Sequence, residues 1–243
     1  MTRWFSSLSW LVITVTFPLI SACFGGESRP GPLRFHLDNM YIAQVPMEEQ
    51  QAVFRAQTEF SKAKAMRAKA RADLEQSSIN VDIAKNETKQ AILSEDSAKS
   101  RKDAAEKRGD VNEINTASLA LRAAKLARQA ADKKVEYMEA RRAYLKEQVF
   151  YAEDEMYAKE AHYELTKARL AEAKNIRPQK FSIADYEKQN EQRSARAQQS
   201  RARLESRKTT VEQLENEWKR RAADARKAKG EMAGAASSEE SIQ

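Results

Sequence analysis

Few side chains in this sequence could do chemistry, and they are scattered. There is one cysteine, Cys23, and there are two histidines, His36 and His162. A thiol is an intrinsically good nucleophile, but it needs a base beside it. A single cysteine also excludes an intrachain disulfide. His162 falls in Lys159-Glu160-Ala161-His162. A carboxylate-bridged metal bundle would place a glutamate three residues before the histidine, and that position is Lys159. His36 has no ligand companions nearby. There is no glycine-rich phosphate loop and no nucleophile elbow. Arg108-Gly109-Asp110 spells an adhesion tripeptide, yet glycine and aspartate between two helical patterns are what a short turn requires. Asn86-Glu87-Thr88 fits a glycosylation sequon but lies within a helical pattern. The chain therefore reads as a non-enzyme, with no catalytic residues, no cofactor and no metal site.

The setting of Cys23 is more informative. Met1-Thr2-Arg3 is a short positive start, Trp4 to Ile20 is mostly apolar, and Ile20-Ser21-Ala22 leads into the cysteine. The apolar run is short for a bilayer span and has the flanks of a cleaved signal. Ile20-Ser21-Ala22-Cys23 resembles the lipobox of bacterial lipoproteins: an aliphatic residue, two small residues and an invariant cysteine. The resemblance covers about the first 23 residues. It implies a signal peptide over 1–22, cleavage between Ala22 and Cys23, diacylglycerol on the Cys23 thiol, and acylation (palmitate) of the new amino terminus. In enterobacterial lipoproteins an aspartate after the cysteine favours inner-membrane retention. Phe24 stands there, so the resemblance implies an outer-membrane lipid anchor facing the periplasm, with surface exposure not excluded.

Residues 23–45 read as a lipid-anchored tether and a cap. Three of the six glycines and two of the five prolines fall between Phe24 and Pro32, the composition of a flexible linker. Leu33 to Val45 is richer in apolar and aromatic residues. Capping the end of a helical bundle is the expected use of that segment, and contact with a partner is the alternative.

The elements that must carry all this are helical. From Met47 to Arg177 there is one glycine, Gly109, and no proline, and these two residues are the ones that most disfavour helix interiors. A third of the residues are charged and aromatics make up 7%, the balance of a coiled coil. The expected fold is all-α: a long antiparallel helical hairpin over 46–177, with its turn near 108–110, and a third long basic helix over 178–230. Together they form an elongated rod, and residues 231–243 are expected to be a disordered tail.

Heptad stripes run through Ala70, Ser77, Val81 and Ala84 in the first helix and through Leu121, Val135, Leu145 and Met156 in the second. A second stripe in that helix, Tyr137, Tyr144 and Tyr151, predicts a three-helix core with the tyrosines along its rim. A tyrosine face that docks another protein is the other option. In the third helix the stripe reads Ala197, Ser200, Leu204, Val211, Leu214 and Trp218. Surface pairs are expected at helical spacing: Glu95 with Lys99, Asp103 with Lys107, Glu155 with Lys159, Glu215 with Lys219, and Glu217 with Arg221.

The chain carries +7. Residues 180–229 hold fourteen basic and eight acidic residues, a surplus of six. A basic helix suits an anionic envelope surface, and nucleic acid is not expected for an exported chain. The functional expectation is a periplasmic spacer or adaptor for an envelope protein complex, with a protein partner or self-association through helical seams. A regulator of cell-wall enzymes, or an accessory subunit of an envelope transport system, is the alternative.

Overall fold

The computed structural model describes residues 30–176, 178 and 181–240, with residues 235–240 as backbone. The chain enters through an extended segment and one helical turn, α1 (Asn39–Ile42), then a 3-10 turn (Met47–Gln50). Three long helices follow: α2 (Gln51–Arg108), α3 (Val111–Ala173) and α4 (Ile183–Glu240). There is no strand among the described residues, so the fold is all-α, as the missing helix breakers predict.

Cross-helix ion pairs give the directions. Arg71 meets Glu153, Lys85 meets Glu139, and Glu95 meets Arg128. As α2 numbers rise, α3 numbers fall, so the two are antiparallel. Asp154 with Arg196, Lys133 with Glu217, and Arg122 with Glu231 show the same for α3 and α4. At 1.5 Å per residue each helix extends about 90 Å. The start of α2, the end of α3 and the start of α4 form one end of the rod. The turn at Gly109 and the far end of α4 form the other.

The turn between α2 and α3 uses its three residues as expected. Gly109 adopts φ +80° and its N–H donates to the Ala105 carbonyl at 3.1 Å. Asp110 Oδ1 accepts from the backbone N–H of Asn112 and Glu113, capping α3. Arg108 pairs with Glu113 at 2.7 Å.

Three expectations change. α3 stops at Ala173 rather than near Arg177, because Asn175 takes a left-handed conformation and the Ile176 N–H turns back to the Ala171 carbonyl. An asparagine can hold that helix-ending position in place of glycine. At the other end, α4 continues through Gly230 to Glu240 rather than dissolving after Lys229. The alanines around Gly234 favour helix strongly enough to offset two glycines at roughly 1 kcal/mol each, and Glu231 reaches Arg122 at 3.8 Å.

The third change concerns the core. α2 and α4 both pack along α3 and scarcely meet each other, so the molecule is a slab with α3 in the middle rather than a three-helix core. α3 has two apolar flanks, and each is served by one neighbour. The tyrosine stripe is the flank that receives α4: Tyr137 is buried and stacks on Trp218, with ring centroids 5.4 Å apart and planes 6° from parallel.

Small residues let the helices approach closely. Ala84, Ala161, Ala168, Ala171 and Ser200 are fully enclosed. Adjacent acids on α3 pin both neighbours, since successive helix residues point about 100° apart. Glu153 bonds Arg71 of α2, and Asp154 bonds Arg196 of α4 at 2.7 Å. Of the expected surface pairs, Glu155–Lys159 and Glu215–Lys219 form. Glu95 and Glu217 instead reach across to Arg128 and Lys133 of α3, and Lys102–Glu106 replaces the Asp103–Lys107 pair.

Candidate functional site

The most constructed part of the molecule is the end where the incoming chain meets all three long helices. Residues 30–46 lie across the slab. Leu33, Leu37, Ile42 and Val45 are buried there, and Leu37 and Ile42 pack with Val53 of α2, Leu165 of α3 and Tyr186 of α4 in one cluster. The capping role expected for Leu33 to Val45 is the one observed.

Polar side chains then grip the backbone of this segment. The Gln189 carbonyl oxygen accepts from the N–H of both Arg34 and Phe35, each at 2.9 Å, and its amide donates to the Phe35 carbonyl at 3.0 Å. One glutamine thus completes what a neighbouring strand would otherwise supply. Two residues further along the segment, Glu164 of α3 accepts from the Leu37 N–H at 2.7 Å. Lys167 donates to the Leu37 carbonyl at 2.6 Å and to Asn39 at 3.0 Å. Glu164 and Lys167 also bond each other at 2.8 Å, their side chains 6% and 4% exposed. A buried charge is tolerated only when paired and hydrogen-bonded, and here each has both.

Further ties sit at the edge of this clamp. Arg193 donates to the carbonyls of Gly31 and Pro32. Gln50 donates to those of Ile42 and Val45, and Lys174 bridges to Glu49. Phe35 and Phe181 lie tilted against Tyr186 from two directions, centroids 6.0 Å away in each case. Glu160, nearby on α3, has its carboxyl pushed above the ordinary range. Burial is the main cause; His36 opposes the shift and Glu164 adds to it.

The sequence did not mark Glu164, Lys167 or Gln189. The available signal was a charged pair three residues apart within a helix face otherwise built of Ala161, Ala168 and Ala171. A charge inside an alanine stripe has to find a partner from elsewhere in the chain.

The two histidines do not come together with each other or with acids in a metal-binding group. His36 bonds the Leu33 carbonyl through Nε2 at 3.1 Å and lies 3.8 Å from Glu164. His162 is exposed on the rim of an open groove between α3 and α4, beside Tyr151, Glu155 and Asn190. Although its edge is open to solvent, the rest of the ring is partly desolvated, which depresses its pKa below the ordinary value, and the positive charges of Lys159 and Arg169 lower it further. No group of metal-ligating side chains occurs among the described residues. Ala22 and Cys23, with the whole lipobox, lie outside the described residues. Among those described, no helix is long and apolar enough to cross a membrane.

Comparison with known protein families, with curated proteins and with solved structures finds no match to this chain.

Proposed function

We propose that the protein is a lipoprotein of the bacterial envelope, held at the outer membrane through lipid on Cys23. Its coiled-coil rod serves in the periplasm as a structural spacer or adaptor for an envelope complex. The observation that supports this most is the clamp at the end of the rod. The segment following the tether is locked by Gln189 of α4 and by Glu164 and Lys167 of α3, and its Leu37 and Ile42 pack with Val53 of α2. An anchor on Cys23 would therefore hold a stiff body whose far end, at Gly109, stands about 90 Å away. Seven residues separate Cys23 from the first clamped residue, Gly31, so the base stays close to the bilayer. The role is mechanical and needs no bound cofactor.

The test is fractionation of cells expressing the full chain or Cys23→Ser. The unsubstituted chain is expected in the membrane fraction and Cys23→Ser in the soluble fraction. Retention of Cys23→Ser in the membrane would sink the lipid-anchor reading. Cross-linking in the same cells then separates an adaptor, which gives one dominant envelope partner lost in Cys23→Ser, from a spacer linked to its own copies or to cell wall.

A further inference from the structure

We propose that the outward face of α2 is a coiled-coil seam for a second copy of this chain, with the two α2 helices parallel and in register. α2 has two heptad stripes. One faces α3. The other points the opposite way, and from Ala72 to Ala104 every alternate step of four and three lands on an exposed, uncharged residue. Three of the five positions in the middle of this stripe are large and apolar: Ile79, Ile83 and Leu93 are 50%, 49% and 69% exposed, with Asn86 and Gln90 between the last two. A solvated helix face has no need for three large apolar residues in heptad rhythm, nor for the exclusion of charge along about 48 Å of helix. Among the described residues nothing covers it.

The flanking charges say what fits. In a parallel pair, a residue just before one seam position faces the residue five places later on the partner helix. That rule sets Asp96 against Arg101 and Asp103 against Arg108 of the second copy, each contact occurring twice by symmetry. Neither Asp96 nor Arg101 has an ion-pair partner within the described chain, whereas Arg108 already holds Glu113. One like-charge contact, Asp82 against Glu87, also arises, and Glu87 is neutralised within its own chain by Lys134 at 2.5 Å.

Asn86 occupies a seam position between Ile83 and Leu93. In a parallel, in-register pair Asn86 meets its own copy, where the two side-chain amides can hydrogen-bond each other; offset pairing would set the amide against an apolar seam residue. Pairing of identical faces about a two-fold axis closes on itself and leaves no growing edge.

This deepens the spacer reading by naming one partner, yet it rests on α2 alone. Its test is run without Cys23, so membrane attachment and self-association can fail separately. In the full chain carrying Cys23→Ser, single cysteines are introduced as Ile79→Cys, Leu93→Cys and, as a control on an exposed face of α3, Arg141→Cys. Mild oxidation is expected to link copies at both α2 positions and not at the control. By sedimentation, Ile83→Asp is expected to lower the dimerisation constant by about tenfold or more, since it would bury an uncompensated carboxylate, with helical circular dichroism unchanged. A chain that is monomeric at tens of micromolar would overturn the proposal. So would linkage at only one of the two positions, which means antiparallel or offset pairing. A dimer that survives Ile83→Asp but is lost on Ala202→Asp, in the exposed face of α4, would overturn it too.

Discussion

Lys167 and Glu164 are opposite charges one helical turn apart on α3, both almost without solvent, so each depends on the other. Removing one strands its partner, and breaking a buried pair of this kind costs about 3–5 kcal/mol. Lys167→Met is expected to lower the unfolding free energy by that amount in denaturant titration. Lys167→Met with Glu164→Gln should lose less, because the new amide carbonyl still accepts from the Leu37 N–H. His162 gives a prediction of a different sign. Its folded pKa is depressed from 6.5, so just below that value the unfolded chain binds more protons than the folded one. Stability therefore falls as pH drops from 6.5 through the folded pKa. His162→Gln should flatten the dependence in that window, measured as melting temperature against pH. An unchanged slope would show that the ring is not desolvated.

Each long helix is defined by where its regularity stops. Gly109 ends α2 in a left-handed conformation, and a β-carbon added there would meet nothing within 4 Å. The cost of Gly109→Ala is thus conformational, about 1–2 kcal/mol, while Gly109→Asn should cost less. Hydrogen exchange is the suitable measurement, with faster exchange expected near residues 105–114 and little change at the clamped end. This turn was legible because a lone glycine followed by aspartate is a local signal. The end of α3 was less so. The proline at 178 marks a boundary, but Asn175 set it earlier through a backbone conformation that asparagine adopts only when its surroundings favour it. The continuation of α4 past Gly230 was hidden for the same kind of reason, since two glycines look like an ending until helix-forming alanines and a tie to Arg122 are weighed against them.

As a whole, the molecule should behave as a rod. A body about 90 Å long has a radius of gyration of roughly 26 Å or more, whereas a compact chain of this length would measure about 18 Å. Small-angle scattering distinguishes these directly, and a value near the compact figure would exclude the slab. Helix, turn and heptad rhythm were determined by the sequence alone, because they depend on neighbours three and four residues apart. The arrangement of the helices needed the tertiary structure. Tyr137 lies on an apolar flank in any reading, but only the position of Trp218 on α4 makes that flank an interior seam. Glu164, Lys167 and Gln189 look like ordinary surface residues until residues 33–39 are laid over them, across 125 residues and more of intervening chain. Contacts of that separation are set by which apolar faces find each other, and only the folded chain decides it. The same holds for α2: its two stripes are both written in the sequence, and the fold decided which one α3 would cover.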